Sequence, residues 1–161
     1  MKELSAASTK RLAGVHLDLR KVILRAVPLS PHEFVITEGM RTRERQVELV
    51  KAGASKTMNS RHLTGHAVDL APVIGGYVRW DWPLFFDLAR AVQHAAIELN
   101  IVIEWGGCWC RLNEQVPVET LHARYVNECH TNHKRPFMDG PHFQLPWDTY
   151  RIGPGTHNQD T

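Results

Sequence analysis

Long apolar runs are missing from this chain of 161 residues. No stretch approaches the ~20 consecutive apolar residues that a membrane-spanning helix needs. Met1 to Lys10 is polar and small, without the charged start and apolar centre of a secretory leader. These absences lead to the expectation of a soluble protein made in a cytoplasm, with no integral membrane segment. Cysteine is scarce too. Cys108, Cys110 and Cys129 are too few and too close together for a disulfide framework, and reduced thiols fit cytoplasmic synthesis. Charge of one sign is also lacking: the net charge is only +2, far from the dense basic patch of a nucleic-acid binder. The basic excess of the first sixty residues either favours an anionic surface or simply solvates a helix face. Internal repeats and a second domain are not apparent.

What is present suits one domain with a real core. Leu12, Val15, Leu19, Val22, Ile23 and Ala26 recur at helical steps and predict a helix over Ser8–Val27, weakened by Gly14. Phe34–Thr37 reads as a strand, and Thr42 caps a helix to Ala52 that Gly53 stops. Ala67–Ala71 reads as a short strand ended by Pro72, with Gly75-Gly76 turning the chain into Tyr77–Arg79. The broad apolar face from Leu84 to Leu99 predicts a core helix opened by Asp81-Trp82-Pro83. Ile101–Ile103 and Phe143–Leu145 complete the strands. The expected fold is α+β, a single domain whose antiparallel sheet presents a cleft and carries helices on its other face.

The chemistry concentrates in two short stretches, Ser60-Arg61-His62-Leu63-Thr64-Gly65-His66-Ala67-Val68-Asp69 and Asp139-Gly140-Pro141-His142. His62, Asp69 and His142 are three ligands of the kind a catalytic zinc takes, leaving a fourth position for water. Asp139 then stands where a general base for that water can be held. Two His and one Asp also suit non-haem iron. In the strand, period two puts Asp69 with Ala67 and Ala71 on one face and Val68 with Leu70 on the other. His66 tempts as a ligand but falls off the Asp69 face. Arg41, just before a helix, can present a guanidinium to a carboxylate or a developing oxyanion, or can be one surface arginine among several.

Ser60-x-His62-x-x-Gly65-x-Ala67-x-Asp69 and Asp139-x-x-His142 resemble the signature of the VanY-like zinc peptidases, of the hedgehog/D-Ala-D-Ala-peptidase superfamily, that cut peptidoglycan. Phe34–Thr42, Ile103-Glu104-Trp105-Gly106-Gly107 and His142-Phe143-Gln144-Leu145 resemble in particular the phage endolysins that are L-alanyl-D-glutamate peptidases. The resemblance implies zinc on His62, Asp69 and His142, Asp139 as catalytic acid/base, Arg41 in contact with substrate and Gln46 in support. It implies a peptidoglycan stem peptide as substrate, a monomer, and action on the cell wall after membrane passage. Alternatives within and beyond the family are a D-alanyl-D-alanine peptidase and a non-catalytic zinc-containing cell-wall-binding module.

Two departures from that family stand out. Cys108 replaces a usual acid, which puts any second cation site there in doubt. A segment of about 110–138 separates elements that lie close together in the relatives. Its weak periodicity reads as a long loop insertion that tunes access to the cleft, inside a peptidase domain of residues 1–147, with a polar, mobile tail at 148–161. Cys110, Cys129, His130 and His133 nominally offer a second metal site, or Cys110 and Cys129 a disulfide. Trp105–Trp109 is expected to wall the cleft, its two glycines letting backbone and ring approach substrate.

Overall fold

The computed structural model describes residues 2–151. The elements follow as α1 (Ala6–Arg11), α2 (Leu17–Leu29), β1 (Glu33–Glu38), α3 (Arg43–Lys51), a 3-10 turn (Arg61–Thr64), β2 (Ala67–Ile74), β3 (Tyr77–Val78), α4 (Trp82–Leu99), β4 (Glu104–Trp105), β5 (Cys110–Arg111), α5 (Val118–Thr131) and β6 (His142–Gln144). The strands form one antiparallel sheet in the order β1-β2-β6-β4-β5, with β3 pairing onto β2. Leu19, Val22 and Ile23 of α2 and Leu88, Val92 and Ala95 of α4 are fully buried in one core with Ile36, Val68, Leu70, Phe143 and Leu145. Val68 and Leu70 therefore face the helices, and the Asp69 side of β2 is left to the cleft, as the alternation requires.

Three local expectations change. The first helix is two. Gly14 has φ +80°, His16 caps α2 by accepting from the Asp18 N–H, and the Gly65 carbonyl takes the His16 N–H at 2.8 Å. The break lets the chain cradle the turn that follows His62. Next, β2 does not stop at Pro72. The Leu70 N–H donates to the Pro141 carbonyl and the Arg79 N–H to the Pro72 carbonyl, so the polar groups of residues 70 and 72 point to the same edge. Pro72 lies on that edge between the residues paired with β6 and those paired with β3, where its missing donor costs no ladder bond. Finally, Ile101–Ile103 is not a strand. The Asn113 side chain takes the Ile103 N–H and donates to the Ile101 carbonyl, satisfying this backbone without a partner strand.

The segment 110–138 is not a loop. It contains β5 and the 14-residue α5. Leu112, Val118 and Leu121 join the common core. His122 packs its ring 5.1 Å from Trp82 and 5.3 Å from Phe86, and its Nδ1–H reaches the Gly107 carbonyl at 2.7 Å. A stripe of three or four apolar groups suffices because the rest of the helix stays in solvent. The C-terminal residues that the structure describes are docked as well: Tyr150 Oη–H donates to Asp18 at 2.7 Å, and Arg61 donates to the Tyr150 carbonyl. The rest of the expected tail, with Gly153-Pro154-Gly155, lies outside the described residues.

Gly65 tests how the site's scaffold is held. It sits at φ +72°, and a Cβ there meets the Gly14 carbonyl oxygen at 2.2 Å, whereas Gly53, at φ +73°, opens onto empty space. Gly53→Ala should cost only the left-handed strain, about 1–2 kcal/mol. Gly65→Ala adds a backbone clash and should cost at least ~2 kcal/mol more. Urea unfolding of the two variants measures the difference, and equal midpoints would refute the clash.

Candidate metal centre

Ser60 starts the 3-10 turn by accepting the His62 N–H, and Gly65 ends it in the left-handed region. The turn buries His62 beneath the loop that leads into α3. The Arg41 N–H donates to the His62 carbonyl, and His62 Nδ1 lies 2.9 Å from the Gly39 carbonyl oxygen. A carbonyl can only accept, so Nδ1 carries the hydrogen and Nε2 presents a lone pair.

Asp69 and His142 are direct cross-strand partners in β2 and β6, so antiparallel register brings their side chains to one face. His62 Nε2 and His142 Nδ1 both lie 3.2 Å from Asp69 Oδ1. His142 Nε2 is 2.8 Å from Gln144 Oε1, which again leaves the nitrogen turned to Asp69 as the acceptor. With both imidazoles neutral, three acceptors converge with no donor among them, an arrangement that a proton or a metal ion relieves. Among the described residues His62, Asp69 and His142 are the one group of His, Cys, Asp and Glu able to hold a metal, their ligating atoms lying within 4.8 Å of one another. Two imidazoles and a carboxylate are a donor set that zinc takes.

The electrostatics agree. Burial alone would raise the Asp69 carboxyl, but hydrogen bonds and charges from His142 and His62 outweigh it and hold the group well below the usual carboxylate range. At His142 burial opposes the charged form, yet the Asp69 hydrogen bond and charge win and its pKa is raised. Asp139 is shifted the other way from Asp69: burial and then the Asp69 charge raise it, only partly offset by His142, His62 and Arg41. It lines the same cleft of about 600 Å³ as His62, Asp69 and His142. A raised carboxylate beside the centre is a stronger base than a free one.

Arg41 reaches this cleft and is held there by three side-chain hydrogen bonds. Its Nε and one terminal nitrogen hold Glu38 at 2.7 and 2.5 Å, and its other terminal nitrogen holds Gln46 at 2.6 Å. The nitrogen on Glu38 also approaches Asp69 Oδ2 at 3.9 Å. It is thus a fixed positive charge and not a surface arginine. Gln46 ties it to Ser55 and the Thr57 carbonyl. Glu38 escaped the sequence reading although it sits in the Thr37-Glu38-Gly39 stretch already singled out.

The tryptophan-glycine stretch divides its roles. A Cβ on Gly106 would lie 2.4 Å from the Asp139 carbonyl oxygen, and one on Gly107 would strike the Trp105 ring. Both glycines are therefore required by internal packing, Gly106 at the Asp139–His142 turn and Gly107 against the Trp105 ring. Trp109, at φ +48°, does wall the cleft. Its ring lies 5.4 Å from that of His142 and stacks on Phe137. Helix α5 does not line the cleft, and Phe137 alone reaches it from residues 112–138. The three cysteines are free, with Cys110 against Cys108 at 2.7 Å and no bond to Cys129.

A family model of phage L-alanyl-D-glutamate peptidases matches residues 1–146. The L-alanyl-D-glutamate peptidase of Escherichia phage T5 is 33% identical over 142 residues, covering 86% of this chain and 93% of the relative. That of Listeria phage A118 is 29% identical, with 78% of this chain matching 37% of a longer protein. The crystal structure of the Serratia marcescens L-Ala D-Glu endopeptidase ChiX superposes with a TM-score of 0.72 at 38% identity, covering 94% of this chain and 96% of that one.

His66 supplies the control for the ligand assignment. It is buried, donates from Nδ1 to Thr64 and lies against His16, outside the metal-holding group. Burial, then the charges of Arg61 and His16, lower its pKa to about 4. The folded state therefore binds this proton less readily than the unfolded one. The stabilisation is complete above about pH 6.5 and declines as pH falls toward 4, by on the order of 3 kcal/mol. His66→Ala should retain zinc and flatten that acid decline, whereas alanine at His62, Asp69 or His142 should cost zinc. Metal analysis after dialysis, with unfolding measured across this pH range, checks both.

Proposed function

The chain belongs to the phage L-alanyl-D-glutamate peptidase family, and we propose from that premise that it is a zinc-dependent lysin hydrolysing the L-alanyl-D-glutamate bond of peptidoglycan stem peptides. The observation that carries the reading is the convergence of His62 Nε2 and His142 Nδ1 on Asp69 Oδ1, with Asp139 in the same cleft. These three residues would hold zinc, which when bound would supply Lewis acidity toward a water and a peptide carbonyl.

The remaining work falls to the chain. Asp139, raised by burial and by the Asp69 charge, accepts the proton of the attacking water and returns it to the leaving amine. Arg41, clamped by Glu38 and Gln46, contributes a fixed positive charge near the developing oxyanion at no reorganisation cost. Trp109 and Phe137, stacked on each other in the wall of the cleft, restrict water around the scissile bond. The site of action is the cell wall. No helix among the described residues is long and apolar enough to cross a membrane.

Asp139→Ala removes the base and spares the ligands. It should keep its zinc and lose about 10²–10⁴-fold in turnover. Near-normal activity with zinc bound would remove Asp139 from the mechanism. The bond itself is read by mass spectrometry of defined muropeptides after digestion. New L-alanine C-termini support the proposal, released D-alanine supports a D-alanyl-D-alanine peptidase, and binding without turnover supports a cell-wall-binding module.

A further inference from the structure

His142 serves the centre through Nδ1 only while its hydrogen sits on Nε2. The partner of Nε2 is a side-chain amide, which can present either oxygen or nitrogen. With the Gln144 oxygen toward it, Nε2 donates and Nδ1 is free to ligate. With the amide turned over, the NH₂ would seek the Nε2 lone pair, the hydrogen would move to Nδ1, and the ligating position would be blocked. His62 has no such ambiguity, because the Gly39 carbonyl on its Nδ1 cannot be turned over. The tautomer of His142 is the adjustable half of the site.

Glu104 decides it. Gln144 Nε2 donates to Glu104 Oε2 at 2.9 Å. A carboxylate has no hydrogen to give, so only one amide orientation makes both bonds; the other sets oxygen against carboxylate. The two residues are direct partners in the antiparallel pair β4–β6. Gln144 is 7% exposed, which leaves little room for water to substitute for either bond. The backbone holds the arrangement from the other side as well, since the Gly106 N–H donates to the His142 carbonyl at 2.8 Å.

We propose that Glu104, acting through Gln144, fixes the tautomer of His142 and with it the competence of the metal centre. Both are positioning residues, and neither ligates. The inference rests on the reading of His62, Asp69 and His142 as a metal site. It also assigns the half-buried Glu104 a task inside the wall of the cleft, where its charge would otherwise be taken for a substrate contact.

The test reads the imidazole and the metal, not hydrolysis. In ¹⁵N-labelled protein, at a pH where the spectrum shows the His142 ring neutral, long-range nitrogen–proton correlations distinguish a protonated Nε2 from a protonated Nδ1. Zinc affinity is measured in parallel by competition with a chromophoric chelator. Wild-type protein should show His142 protonated at Nε2. Glu104→Met keeps the length and removes the acceptor. It should mix the tautomers and weaken zinc binding about 10-fold or more; Glu104→Ala replaces it if the methionine variant does not fold. The exchange Glu104→Gln with Gln144→Glu reverses that bond, the amide now at 104 donating to the carboxylate at 144, which still accepts from His142 Nε2, and should return both readouts to within about threefold of wild type. An unchanged tautomer and affinity in the single variant would overturn the proposal. So would a loss that the exchange does not repair, which would assign Glu104 to packing of the strands. Failure of the wild-type protein to take up zinc would defeat the metal reading, while the nitrogen spectrum would still decide the tautomer claim.

Discussion

Everything in the cleft depends on one constraint: Asp69 and His142 stand opposite each other in β2 and β6. That register turns a separation of 73 residues into a 3.2 Å approach. A one-residue slip would send one of the pair into the helical layer, since side chains alternate faces. The register is held by the apolar side of the same strands. Val68 lies opposite Phe143, and both are fully buried. The core beneath the sheet and the chemistry above it are thus two faces of one pairing.

On the cleft side, the cost of gathering acceptors is met in layers. The ring nitrogens turned away from Asp69 are occupied by Gly39 and Gln144, so the three acceptors lie bare toward one point. Without metal that point calls for a proton, which is the physical sense of a depressed Asp69 beside a raised His142. With metal, deprotonated ligands are already aligned. Arg41 adds positive charge at 3.9 Å from Asp69 while Glu38 holds it in place. Asp139 is left as the group whose basicity rises, because it feels the Asp69 charge without sharing its hydrogen bonds.

Much of this was legible in the sequence. The alternation Ala67-Val68-Asp69-Leu70-Ala71 correctly gave Asp69 a face of its own, and the apolar stripe of α4 could be read directly because it runs for 18 residues. That His62, Asp69 and His142 come together as a group that could hold a metal was readable because chemistry and spacing agree. What escaped depends on distant partners. Ile101–Ile103 looks like a strand in sequence, but Asn113 supplies its hydrogen bonds. Helix α5 buries only Val118 and Leu121 fully enough to count as core, a signal too thin to stand out among polar neighbours. Gly14 read as a weak spot in one helix, and its carbonyl's closeness to Gly65 emerges only in three dimensions. Glu104 and Gln144 alternate with buried neighbours, yet nothing in either strand reveals that they face each other.

The central claim is that the three converging acceptors form a metal centre with the donor atoms described. Anomalous X-ray scattering at the zinc absorption edge, on crystals of zinc-loaded protein, tests it most directly. The account predicts one strong peak within bonding distance of His62 Nε2, an Asp69 carboxylate oxygen and His142 Nδ1. A peak elsewhere, or one ligated through the opposite ring nitrogen of either histidine, would contradict it.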